Sequence, residues 1–171
     1  MDLKTEILRE HSKPQALYVS GWIGKNPDRF AVLMDLFHSS EYRIAQRAAW
    51  VCTHCIDQHP DLIRPYLSNL VDLIESPVHV AVRRNAVRIL TKVELPEALW
   101  GLAADKCMRR VADPNETVAV RRFAMEVVWN ICQKEPDLST ELRLILEDNM
   151  EYGSPGFRNY GQKLLNRILK S

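Results

Sequence analysis

Apolar and small residues recur at offsets 0, 4, 7, 8 and 11 of a twelve-residue window, and that window returns four times along the chain. The first copy starts at Ala45 and holds Ala49, Cys52 and Ile56, with Thr53 as its polar exception. The second starts at Val82 and holds Ala86, Ile89, Leu90 and Val93. The third is Val120, Ala124, Val127, Val128 and Ile131, and the fourth is Phe157, Gly161, Leu164, Leu165 and Ile168. The starts lie 37, 38 and 37 residues apart. Such offsets fall on one side of a helix, whereas strands need alternation every second residue, which no stretch sustains. A fixed period of this size marks a stack of repeats.

A second signal alternates with the first. Asn26-Pro27-Asp28, His59-Pro60-Asp61, Leu95-Pro96-Glu97 and Glu135-Pro136-Asp137 each open a new amphipathic segment. Proline suits a first helical turn because its missing N–H would be unpaired there, and the acid beside it favours the positive end of the helix dipole. Each repeat therefore reads as a first helix opened by Pro-acid and a second helix carrying the twelve-residue pattern. The expected helices are 15–24, 28–38, 41–58, 61–75, 78–92, 97–112, 117–134, 138–150 and 156–169. Pro65 is expected to delay or kink the fourth of them. Ala16, Val19 and Ile23 form a degraded copy, as terminal repeats often do. The reading is one all-α domain over 1–171, with a degenerate repeat at 14–38, repeats at 39–75, 76–112 and 113–150, and a half-repeat at 151–170.

Composition changes this picture little. Hydrophobic residues are 46% and charged residues 26% of the chain, ordinary for a globular protein. The net charge of +1 argues against an overall field that draws in nucleic acid or membrane. No apolar run approaches a spanning helix, no signal-like stretch opens the chain, and four cysteines do not make a disulfide framework. A cytoplasmic location is the expectation.

The segments Val82-Arg83-Arg84-Asn85-Ala86 and Val120-Arg121-Arg122-Phe123-Ala124 resemble the second-helix signature of HEAT repeats, with Asp113-Pro114 standing in the turn before the latter. Phe157-Arg158 with Gly161 is a weaker match, and Ala45-Gln46 with Ala49 replaces the arginine. The resemblance covers about 14–170, including small uncharacterised bacterial HEAT-like chains. It implies a right-handed α–α superhelix of about four to four-and-a-half helix pairs, second helices lining the concave side, and scaffold or adaptor roles. It also implies that Arg83, Arg121 and Arg158 tie neighbouring repeats together.

Opposite the apolar stripe of the second helices fall Arg47, Trp50, Arg84, Val87, Arg122, Met125 and Trp129. Arginine, tryptophan and methionine are the composition of a binding hot spot, and the arginine fork grips carboxylate or phosphate at two points. These seven residues are the candidate partner-binding face. Cys52-Thr53-His54-Cys55 lacks the second pair that a zinc site needs, and its place inside a helix fits two buried thiols. His11, His38, His59 and His79 fall at helix ends or turns, and Lys106, Arg109 and Arg110 read as a solvated helix end. No glycine-rich phosphate loop or hydrolase motif occurs. The expectation is a non-catalytic protein interaction scaffold without cofactor or metal, binding a protein or acidic peptide segment. The alternative is a nucleic-acid binder of the HEAT-like DNA alkylation-repair glycosylase kind.

Overall fold

The computed structural model describes residues 1–171 and is all-helical, with ten α-helices, one 3₁₀ segment and no strand. In chain order they are α1 (Leu3–Arg9), α2 (Lys13–Ile23), α3 (Pro27–Phe37), α4 (Tyr42–Gln58), the 3₁₀ segment Pro60–Tyr66, α5 (Leu67–Leu73), α6 (Val80–Leu90), α7 (Glu97–Ala112), α8 (Val118–Cys132), α9 (Leu138–Met150) and α10 (Pro155–Lys170). The all-α, helix-pair architecture read from the periodicity is therefore what the chain adopts. The twelve-residue pattern lies on α4, α6, α8 and α10, and nearly all of its positions are buried. Two positions are only half-buried: Val93, because α6 stops at Leu90, and Ile168, in the last turn of α10. Thr53, the polar exception, is 6% exposed and donates its hydroxyl to the Ala49 carbonyl at 3.0 Å.

Local chemistry sets the helix ends. Ser12, Asn26, Thr117 and Ser154 each accept a backbone N–H three residues on, which satisfies one orphan donor per helix. Pro65 acts as expected: the segment around it is 3₁₀, and α-helix begins only at Leu67. A proline there cannot donate an intrahelical bond.

The chain forms two compact units, one of Met1–Leu67 with Pro77–Asn85, the other of Ser68–Ser76 with Ala86–Ser171. The first unit packs Val19 and Ile23 of α2, Phe30, Leu33, Met34 and Phe37 of α3, and Ile44, Cys52 and Ile56 of α4 into one core. One element escaped the sequence reading. Residues 3–9 form α1, which lies on α2 and α4 and buries Leu3 and Ile7.

The second unit is built on the α7–α8 pair, with α9 and α10 packed against α8. The cations near the end of α7 are not a solvated helix end. Lys106 pairs with Asp72 at 3.0 Å, Arg109 grips both oxygens of Glu75 at 2.6 and 3.0 Å, and Arg110 donates to the Ile74 carbonyl at 2.9 Å. These contacts fasten 68–76 to α7. Hydrogen bonding by Arg109, then its charge, holds the Glu75 carboxyl below the usual carboxylate range.

Candidate functional site

Arg121 shows what the repeat arginine does. Its side chain is 5% exposed. Its Nε and Nη2 donate to the Val111 carbonyl at 2.9 and 2.7 Å, and Nη2 also donates to Asn149 Oδ1 at 3.0 Å. The guanidinium carbon stands 3.9 Å over the Phe157 ring. One side chain thus joins the end of α7 to α8, α9 and α10. Burial lowers its pKa from the usual arginine value. Arg83, its counterpart on α6, is half-buried. Arg158 corrects the expectation of a third tie: it is exposed. Arg121 is held because Asn149 and Phe157 press on it, and nothing of that kind lies over Arg158.

The seven residues of the candidate binding face divide. Val87 and Met125 are both 0% exposed, so neither meets a partner. Met125 lies on a helix that contacts α7, α9 and α10, and a helix packed on three sides has more than one apolar stripe. Arg47 is half-buried, and its Nη1 donates to the carbonyls of Ile7 and Leu8 at 3.2 and 2.8 Å. Trp50 is half-buried, in edge contact with His11 at 5.1 Å and tilted against His54 at 6.2 Å. The gap among Ile7, His11, Arg47, Trp50 and Val51 is only about 10 Å³, so α1 closes over this part of α4. Arg84 and Trp129 are half-buried and Arg122 is exposed.

Around Arg122 the second unit adds residues that the sequence reading passed over. The Arg122 guanidinium carbon sits 5.1 Å over the Tyr160 ring, and the Tyr160 hydroxyl donates to Glu126 Oε2 at 3.4 Å. Burial, then the charge of Glu126, pushes the Tyr160 phenol above its ordinary range, while Arg167 and Arg122 oppose that rise. Lys163 and Arg167 are exposed on α10, and Asn130 is exposed on α8 next to Trp129 of the candidate face. Tyr160 stands one repeat after Phe123, so superposing the repeats on the 37-residue period finds it.

The helix ranges also expose a charge pattern that the net charge of +1 conceals. The second helices α4, α6, α8 and α10 hold eleven lysines and arginines and only two acids, Asp57 and Glu126. The remaining chain holds twelve cations and twenty acids. On α10 alone, Arg158, Lys163, Arg167 and Lys170 face no acid on their own helix.

The thiols are held away from solvent. All four cysteines are free and buried. Burial pushes Cys55 and Cys107 up to about 12 and Cys132 up to about 11, and raises Cys52 still further. A thiol must become a thiolate to attack or to bind metal. No three His, Cys, Asp or Glu side chains group as metal ligands, and no helix is long and apolar enough to cross a membrane. His79 uses Nδ1 to accept the Ala81 N–H at 3.1 Å, a capping role at the start of α6.

The family profile described as a HEAT repeat domain matches residues 3–168. No curated protein and no solved structure matches the chain.

Proposed function

We propose a binding role from a plain premise: the chain belongs to the HEAT repeat domain family. Helix-pair repeats of this kind offer extended surfaces to partners. The proposed role is a non-catalytic scaffold or adaptor that takes an acidic protein segment on the second helices α8 and α10 of the second unit. The observation that carries it is the segregation of charge, five exposed cations (Arg122, Arg158, Lys163, Arg167 and Lys170) against one acid, Glu126, on α8 and α10. The best-formed part is on α8 and α10, where Arg122, Lys163 and Arg167 stand beside Trp129 and Tyr160. Arginine supplies directional donors, and the half-buried rings supply apolar area at little entropic cost.

The test is a titration of the full chain with a labelled peptide of about twenty residues, rich in glutamate and carrying leucines. Two exposed charge reversals at about 1 kcal/mol each amount to roughly thirtyfold. The Arg122→Glu/Arg167→Glu variant is therefore expected to bind about thirtyfold more weakly with unchanged circular dichroism. Equal affinity of the two proteins would sink the reading.

A nucleic-acid reading draws on one observation of its own. Asn159, Gln162 and Asn166 are exposed among the cations of α10, and amides beside cations suit phosphate oxygens. Duplex DNA in the same titration separates the two. Tight binding that falls steeply with salt, together with no peptide binding, favours phosphate.

A further inference from the structure

Four arginines of this chain have the same occupation. Arg29 Nη1 donates to the Trp22 carbonyl in the last turn of α2. Arg47 Nη1 donates to the Ile7 and Leu8 carbonyls in the last turn of α1. Arg110 Nε donates to the Ile74 carbonyl just past α5. Arg121 donates twice to the Val111 carbonyl in the last turn of α7. The last four carbonyls of any helix lack intrahelical donors and carry the negative end of the helix dipole. A guanidinium answers both needs at once.

Arg122 occupies the register of Arg47 two repeats further on, two residues after the start of its twelve-residue window as Arg47 is after its own. In the first unit that register is filled by a segment of the chain itself. Helix α1 sets Leu3 and Ile7, one turn apart and 3% and 2% exposed, against the neighbouring helices and presents its carbonyl end to Arg47. In the second unit Arg122 is exposed. Tyr160 holds the guanidinium through its face, which leaves the N–H donors at the edge of the planar group for another partner. Phe123 and Trp129 on the same helix are half-buried, and α10 adds cations without an acid.

We infer that Arg122 receives the carbonyl end of a partner's short amphipathic helix, as Arg47 receives the end of α1. The inference rests on the acidic-segment reading above and sharpens it. The partner segment is a helix of two or three turns with apolar residues one turn apart. Those residues lie against Phe123 and Trp129, and its last turn is acidic or unneutralised. Acids in a last turn destabilise a free helix, and an arginine at its end removes that penalty.

The test uses the full chain and two labelled peptides of residues 2–11, both with K4E and R9E. One is hydrocarbon-stapled to hold the helix, and the other is unstapled with I7P and cannot form it. The stapled peptide is expected to bind at least tenfold more tightly. Arg122→Gln is expected to reduce it to the level of the proline peptide, with circular dichroism unchanged because the side chain is exposed. Equal binding of the two peptides, still dependent on Arg122, would overturn the helix-end inference and leave the acidic-segment reading standing. Stapled-peptide binding that Arg122→Gln leaves intact would also overturn it. If the twenty-residue acidic peptide and both short peptides all fail to bind, the parent reading falls as well.

Discussion

Replacing Arg121 by methionine is expected to cost about 3 kcal/mol of stability, among the larger effects of any single substitution in this chain. Methionine keeps most of the apolar stem and removes the charge, so no uncompensated cation is left behind. The Val111 carbonyl and Asn149 Oδ1 do lose their donors in a site that is only 5% exposed. Hydrogen bonds to a charged donor are worth about 1.5–3 kcal/mol, and orphaned buried acceptors add to the loss. Contact with the Phe157 face goes too. With a urea slope of about 2 kcal/mol per molar, the midpoint should fall by more than 1 M. The control is the next residue. Arg122→Met removes an exposed guanidinium and should shift the midpoint by no more than about 0.5 kcal/mol equivalent. Similar shifts for the two variants would refute the division of labour between these adjacent arginines.

Phe157→Ala is expected to cost about 4 kcal/mol. The ring is 1% exposed and is packed from several sides. A Cβ placed on Gly153 would come within 2.5 Å of Phe157 Cδ1 and 3.0 Å of the Asn149 carbonyl oxygen, so glycine there is what lets the ring in. Truncation leaves a cavity that this close packing cannot collapse. Because Phe157 and Arg121 touch, their effects should not add. Arg121→Met/Phe157→Ala should cost about 1 kcal/mol less than the sum of the two singles. Strict additivity in the denaturation cycle would mean that the cation–ring contact contributes nothing.

How far these features could be read in advance follows from their physics. The twelve-residue stripe is a one-helix property, and its positions are buried almost without exception. The Pro-acid starts and the 3₁₀ segment at Pro65 are local as well. What depends on a neighbour was not legible. Helix α1 has seven residues and one buried apolar pair, Leu3 and Ile7, too little to nucleate alone. It forms because α2 and α4 cover that pair. Arg47 and Trp50 looked open because nothing in α4 announces α1. Val87 and Met125 looked outward because a single helical wheel has one packed side, whereas Met125 lies on a helix with neighbours on several sides. Arg158 carries the signature of a repeat tie without the two residues that make Arg121 one.

The same reasoning explains what the net charge conceals. A total of +1 argues against an overall field and leaves local clusters of cations open. Once the helix ranges are known, the second helices carry most of the excess positive charge, and the acids lie on first helices and turns. The site proposed on α8 and α10 is the place where that charge coincides with exposed arginine and with half-buried rings.

The most direct test of that site is to record backbone amide chemical shifts of the full chain during titration with the twenty-residue acidic peptide. The largest changes are expected at Arg122, Glu126, Trp129, Tyr160, Lys163 and Arg167, with α7 and α9 little affected. Saturable binding whose shifts instead cluster on α7 or α9, leaving those six residues unmoved, would contradict a binding face on the second helices.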